Sequence, residues 1–121
     1  MNVRFAEGAV RCRVRGEELA HLLAGQALVL EVALPRDRMF RFSVRPSLLG
    51  QWQLDSDPTG IWLSIPTKEL QALSERLPSR EGLSHAFELA SGATMSVSFE
   101  VDVKDKRSLG DRSTGQKSID L

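Results

Sequence analysis

The chain has 121 residues, with 16 basic and 16 acidic residues in balance and a hydrophobic fraction of 41%. This length predicts one globular domain, which can bury a core without disulfide or metal staples. The zero net charge argues against a nucleic-acid coat or a polybasic membrane binder, so we expect neither sequence-specific nucleic acid nor a membrane as partner. The lone Cys12 and the lack of an apolar run of about 20 residues favour a cytoplasmic protein.

The first half of the chain predicts four strands and one short helix. Alternation of apolar and polar residues marks the strands, and a leucine face with early glutamates marks the helix. In chain order these are strands at 3–5 and 10–14, a helix from 16 to 25, and strands at 27–34 and 40–44. Glu7-Gly8 is predicted to turn the first hairpin. Pro46 is expected to end the fourth strand, because proline cannot donate to a strand ladder.

The second half predicts the same series of elements. These are strands at 52–54 and 61–65, a helix from 68 to 77, and strands at 83–89 and 95–103. Thr67 is expected to cap the helix, because its hydroxyl can accept a hydrogen bond from a free N–H group of the first turn. Pro78 is expected to stop the same helix.

Both halves therefore predict the order strand–strand–helix–strand–strand, and the closest match lies where a strand leads into a helix. There Val10, Cys12, Val14, Glu18 and Leu19 recur about fifty residues later as Ile61, Leu63, Ile65, Glu69 and Leu70. We predict an α+β fold: a mostly antiparallel β sheet or open barrel of about eight strands, two short helices outside it, and an internal ββαββ duplication. The domain is predicted to span residues 1–103, and residues 104–121 predict a polar, mobile tail.

Two basic-alternating strands and a short helix open the chain, in Val3-Arg4-Phe5, Val10-Arg11-Cys12-Arg13-Val14 and Glu18-Leu19. Near the end, Val103-Lys104-Asp105 is followed by Leu109. Together these stretches resemble a family of small uncharacterised bacterial proteins, a domain of unknown function. The resemblance supports the domain boundaries and implies no chemistry.

Motifs for catalysis are missing from the sequence. It has no glycine-rich phosphate loop and no cluster of cysteines and histidines with the spacing of a zinc site. No spacing brings His21 or His85 to a nucleophile, so both are expected to be structural or surface residues. Cys12 alternates with Val10 and Val14, which predicts a small core residue and not a reactive thiol. We therefore predict no catalytic residue and no cofactor, and we favour a non-enzymatic protein.

Charge is uneven along the chain, because arginines concentrate in the first half and carboxylates in the second. Arginine forks suit phosphate and carboxylate groups. The candidate anion-binding face consists of Arg11, Arg13 and Arg15 on one strand, extended by Arg41 and Arg45 on another. The alternative is an ordinary solvated sheet face whose arginines pair with Glu100 and Asp102 on a nearby strand.

The last predicted strand carries a second candidate site. Glu100, Asp102 and Lys104 alternate, so they share a face; two carboxylates can hold magnesium or manganese, and a lysine can contact phosphate. This pattern resembles the acidic-acidic-lysine strand of the CYTH-like triphosphate-tunnel proteins, which are duplicated barrels. In that family the motif lies on the first strand, whereas here it lies near the end. The resemblance implies a metal-dependent phosphohydrolase acting on a polyphosphate or triphosphate.

Two function classes follow from these patterns. The first is a small binding or interaction module whose arginine face takes an anionic small molecule or an acidic protein surface, with a homodimer left open. The second is the phosphohydrolase. Arginines that point with Glu100 and Asp102 into a hollow favour the enzyme, and arginines on a wet, convex face favour the binding module.

Overall fold

The computed structural model describes residues 1–102. The predicted tail and Lys104 lie outside the described residues. Eight strands and two helices follow one another as β1 (Asn2–Ala6), β2 (Ala9–Val14), α1 (Gly16–Leu23), β3 (Leu28–Leu34), β4 (Arg38–Ser47), β5 (Gln53–Asp57), β6 (Gly60–Pro66), α2 (Thr67–Arg76), β7 (Leu83–Glu88) and β8 (Thr94–Val101). No helix within these 102 residues is long and apolar enough to cross a membrane.

The described strands form two four-stranded sheets and no closed barrel. Sheet A has the order β1-β2-β8-β7, and sheet B has the order β3-β4-β6-β5. Each sheet joins two antiparallel hairpins through a central parallel pair, β2 with β8 in sheet A and β4 with β6 in sheet B. The prediction of an eight-stranded α+β fold with largely antiparallel pairing is therefore confirmed, and the two parallel pairs add to it.

Each half of the chain has the element order ββαββ, as the sequence repeat predicts. The halves do not form separate sheets, because each contributes one hairpin to sheet A and one to sheet B. In the parallel pairs, Val10 lies beside Val97 and Phe42 lies beside Ile61. The two halves are therefore interlocked, and both sheets need strands from each.

One apolar core joins the two sheets and both helices. Alternate side chains of the central strands point into it, and each helix adds two buried leucines, because the leucines recur on one helix face. The two helices also contact each other. The buried apolar residues are Val10, Cys12, Val14, Leu19, Leu22, Leu28, Phe42, Val44, Leu63, Ile65, Leu70, Leu73, Val97, Phe99 and Val101.

Two local predictions fail at the ends of elements. Strand β4 continues through Pro46 to Ser47, because β3 pairs with β4 only as far as Val44 and proline is tolerated where one side of a strand has no partner. Thr67 is the first residue of α2 and does not cap it. Its hydroxyl instead donates a hydrogen bond of 3.2 Å to the Ser47 carbonyl oxygen, which ties the helix start to the end of β4.

Candidate functional site

Arg11 and Arg13 project from the outer face of sheet A. They alternate along β2 with core residues, so their side chains point away from the core, and each is 54% exposed. The parallel register of β2 and β8 places Glu100 beside Arg13. Arg11 and Arg13 therefore lie close to Glu100, the predicted carboxylate of the last strand, on a solvent-facing surface.

Both arginines contact the same carboxylate. Arg11 Nη2 lies 3.4 and 3.3 Å from the Oε1 and Oε2 atoms of Glu100, and Arg13 Nη2 lies 3.2 Å from Oε1. These distances exceed the roughly 2.7–2.9 Å of a tight charged hydrogen bond. Exposed ion pairs of this kind contribute about 0–1 kcal/mol, so the arrangement costs little to rearrange.

Two further residues complete the site, and neither was predicted from the sequence. The antiparallel register of β1 and β2 sets Arg4 opposite Arg11 and Asn2 opposite Arg13. Together with Glu100 these residues line a shallow depression that is open to solvent, with Cys12 beneath. We call this depression the basic cleft and define it by Asn2, Arg4, Arg11, Arg13 and Glu100.

Charge in the basic cleft is unbalanced in favour of arginine. Three arginines and the single carboxylate of Glu100 line it, and Arg4 forms no salt bridge within residues 1–102. A local excess of positive charge on a concave surface attracts anions and repels cations. The residues that line the cleft therefore carry a net positive charge.

Arg15 lies at the start of α1, away from the cleft. Its guanidinium pairs with Glu17 at 2.7 Å and with Glu18 at 3.7 Å. Its backbone N–H donates to Glu18 Oε1 at 2.8 Å, which satisfies a group at the helix end. These contacts of Arg15 are with glutamates in the first turn of α1, so they stabilise the start of that helix.

Arg41 and Arg45 belong to the other sheet. They lie on β4, where Arg41 Nε contacts Glu31 Oε2 at 2.8 Å and Arg45 Nε donates to Ser64 Oγ at 3.3 Å. Their outward direction follows from alternation with the buried Phe42 and Val44. The predicted arginine face is thus divided between the outer faces of two sheets.

The predicted metal ligands Glu100 and Asp102 have different neighbours. Glu100 turns its oxygens toward two guanidinium groups, and that positive field opposes a magnesium or manganese ion. Asp102 ends the described chain, where its backbone N–H donates to the Val14 carbonyl oxygen at 2.8 Å. Residues 1–102 contain no group of three His, Cys, Asp or Glu side chains that could hold a metal.

The space between the two sheets is occupied by apolar side chains. Phe42, Phe99 and Leu63 are among the largest residues fully buried there. The resemblance to the triphosphate-tunnel proteins implies a polar tunnel lined by arginines and carboxylates. Within residues 1–102 the arginine row and Glu100 face solvent, so these strands form no such tunnel.

The remaining candidates for chemistry are one cysteine and two histidines. Cys12 is 1% exposed, and burial raises the pKa of its thiol to about 12, which leaves it protonated and unreactive. The His85 ring stacks on Trp52 at 5.2 Å and meets the Phe87 ring edge at 4.7 Å. His21 lies in the last turn of α1, on its exposed side.

Comparison with known proteins gives a family and no activity. No curated protein and no solved structure matches the chain. The family model described as "Family of unknown function (DUF7009)" matches residues 1–116. The expected resemblance to a domain of unknown function is thereby confirmed, and because the match covers nearly the whole sequence, the chain belongs to the DUF7009 family.

Proposed function

We propose that this protein is a small cytoplasmic binding module that takes an anionic group, phosphate or carboxylate, in the basic cleft. The observation that carries the proposal is the shared contact of Arg11 and Arg13 with Glu100, at 3.2–3.4 Å on an exposed sheet face. In this reading Glu100 is a tethered carboxylate that occupies the place of the ligand's anion. No contact among the described residues favours the phosphohydrolase, and we do not propose it.

The spacing of Arg4, Arg11 and Arg13 allows them to bind the same ligand. Residues two apart on a strand lie about 6–7 Å from each other on the same face, which separates Arg11 from Arg13. Directly opposed residues of an antiparallel pair have Cα atoms about 4.5–5.5 Å apart, which brings Arg4 beside Arg11. A phosphate group placed among them can accept hydrogen bonds from more than one guanidinium fork.

The neighbouring positions leave room for the rest of a ligand. Ser98 lies beside Arg11 in the register of β2 and β8, and Ser84 lies beside Ser98 in the register of β7 and β8. Both side chains are short and carry a hydroxyl that donates or accepts. The face next to the cleft therefore offers space and hydrogen-bonding groups without a competing charge.

The test is retention of full-length variants on a phosphate-bearing resin, measured as the salt concentration at elution. We expect Arg13→Ala to elute at lower salt than the parent and to unfold at the same temperature. Arg41→Ala is the matched control, since it also removes an exposed, ion-paired arginine but from sheet B, and its smaller shift reports the loss of one positive charge. Equal elution of Arg13→Ala and Arg41→Ala would contradict the proposal.

A complementary variant tests the role of Glu100. Glu100→Gln removes the carboxylate that occupies the cleft, so we expect stronger retention and a larger rise in melting temperature with inorganic phosphate or tripolyphosphate. Glu88→Gln removes a carboxylate from β7 of the same sheet and serves as the control for net charge. If the two variants respond alike, Glu100 does not compete for the site.

A further inference from the structure

Strand β3 is an edge of sheet B with an unusual composition. It runs from Leu28 to Leu34 with the sequence LVLEVAL, and β4 is its only strand neighbour within residues 1–102. An edge strand presents a row of unpaired backbone N–H and C=O groups, which makes it a template for pairing with another strand. Apolar side chains on both faces of such an edge add a hydrophobic drive to that pairing.

The apolar side chains of β3 are exposed in the single chain. Val29 is 54% exposed, and Val32 and Leu34 are each 42% exposed. The one charged residue of the strand, Glu31, is held by Arg41 of the neighbouring strand at 2.8 Å. The negative charge of Glu31 would oppose association with another strand, and it is offset by Arg41 of the same chain.

The other three edge strands are protected against pairing in the usual ways. They are shorter than β3 and each carries charge: Arg4 on β1, Asp55 and Asp57 on β5, and Glu88 on β7. Charged side chains on an edge oppose edge-to-edge association. Among the described strands, β3 is thus the best match for another β3.

We propose that two copies of this chain associate through antiparallel pairing of β3 with β3 about a two-fold axis at Val32. Opposed residues in an antiparallel pair share a sheet face, so this register sets Val32 against Val32 and Leu30 against Leu34 of the second copy. Glu31 then lies opposite Ala33. Centring the axis on Glu31 would instead oppose two like charges, which is destabilising.

The symmetric arrangement also explains why a second copy is the fitting partner. A two-fold contact uses the same strand on both molecules and closes at two copies, whereas pairing β3 with a different edge would leave a free β3 and extend without end. Pairing covers the exposed stretch from Glu31 to Leu34 on both chains. It leaves Leu28 in the core beside α1, where it is 8% exposed.

A neighbouring apolar surface continues the proposed interface. Val32 is paired with Phe40 across the sheet, and the Phe40 ring lies 6.4 Å from the ring of Phe5, which is 53% exposed. These residues share one face with Leu34. When two copies pair, the two surfaces meet on the same side of a continuous eight-stranded sheet, and the apolar area withdrawn from water grows.

The first test is the mass of the full-length protein in solution, by light scattering or sedimentation at micromolar concentrations. We expect a dimer. Val32→Lys should give a monomer with an unchanged circular dichroism spectrum, because the side chain is already partly exposed. The control Ser56→Lys places the same charge on the β5 edge and should remain dimeric. A monomeric parent protein, or a dimer that survives Val32→Lys, overturns the proposal.

The second test locates the axis by disulfide formation between copies. Val32→Cys places one thiol on the two-fold axis and should give covalent dimers under mild oxidation. Val29→Cys is more exposed than Val32→Cys on the same strand but lies off the axis, so it should stay uncrosslinked. The buried Cys12 does not compete. Equal crosslinking of the two variants contradicts the register. Because β3 lies in sheet B and no residue of the basic cleft lies on it, these outcomes do not depend on anion binding.

Discussion

The two halves of the chain carry similar buried residues at equivalent positions, whereas the residues on their outer faces differ. Leu19 and Leu22 of α1 correspond to Leu70 and Leu73 of α2, and all are at most 2% exposed. The same offset relates the apolar residues of β2 to those of β6. A close-packed interior permits few alternatives, so equivalent positions keep similar side chains.

On the outer faces the equivalent positions carry different chemistry. The offset that superposes the cores relates Arg11 to Trp62, Arg13 to Ser64 and Arg4 to Asp55. Side chains outside the shared apolar core are less constrained by its packing and can change independently. The chemistry that distinguishes the two halves therefore lies on their outer faces, with Arg4, Arg11 and Arg13 on sheet A.

A related difference occurs where each helix begins. Glu18 Oε2 contacts the Met1 ammonium at 2.7 Å, and Glu69 Oε2 accepts a hydrogen bond of 3.0 Å from Trp52 Nε1. In both cases the donor lies 17 positions earlier in the chain. Each glutamate thus links the start of its helix to an earlier residue. The donor is a charged ammonium group in the first half and a neutral indole N–H group in the second.

The largest expected effect tests whether the two halves contribute equally to the core. Leu22→Ala and Leu73→Ala each remove a side chain that is 0% exposed, so each should lower the free energy of unfolding by about 2–5 kcal/mol. We expect the two losses to agree within about 1 kcal/mol, measured by urea denaturation. A much smaller loss at one site would show that the core is stabilised mainly by the other half.

A second prediction concerns Ala9 and Gly60, which occupy equivalent positions at the start of β2 and β6. A Cβ atom at Gly60 would collide with the Arg41 carbonyl oxygen, so Gly60→Ala should cost about 1–3 kcal/mol. Ala9→Gly removes a methyl group from a strand and should cost about 0.5–1 kcal/mol. Thermal unfolding measures both. Equal costs would mean that the approach of β4 to β6 relaxes without penalty.

The smallest expected effect is the pH dependence of the contact between Glu18 and the Met1 ammonium, compared with the contact between Glu69 and Trp52. Burial acts to raise the pKa of Glu18, but hydrogen bonds from the Met1 ammonium and the Arg15 N–H group outweigh it and lower that pKa. The carboxylate therefore stabilises the fold fully above its unfolded pKa and loses this effect as pH falls through the lower, folded pKa. At pH 7, Glu18→Gln should cost about 1 kcal/mol.

The matched measurement is the unfolding free energy of the parent and of Glu18→Gln from neutral pH downward. We expect the two curves to converge below about pH 4.5, because protonation removes from the parent what the substitution removes at every pH. Glu69→Gln changes the corresponding glutamate of α2, whose donor Trp52 is neutral, and serves as the comparison. A constant gap between the parent and Glu18→Gln down to the acid transition would contradict the assigned charge interaction.

The sequence predicts the elements well because each is encoded locally. Alternation along 10–14 and 61–65 identifies two central strands, and the leucine spacing identifies both helices. The exchange of hairpins between the sheets is not local. The periodicity of β2 contains no information that its parallel neighbour is β8 and not β4, so the two-sheet arrangement could not be predicted.

The site could be predicted in part for the same reason. Pairing of Arg11 and Arg13 with Glu100 was one of the two sequence interpretations, and the structure contains it. Arg4 was available from the sequence as well, because the two-residue turn at Glu7-Gly8 fixes the register that sets Arg4 opposite Arg11. The sequence could not predict that Arg41 lies on a different sheet from Arg11 and Arg13, because this depends on which strands pair in the fold.

The interlocked hairpins have a consequence for synthesis on the ribosome. All four strands of sheet B lie within residues 28–66, so that sheet can pair while the last strands are still untranslated. Sheet A joins the first hairpin to β8, which ends at Val101. Until then the edge of β2 that β8 occupies has no strand beside it. The nascent chain therefore presents an unpaired strand edge through much of its translation, and unpaired edges of this kind are prone to aggregation.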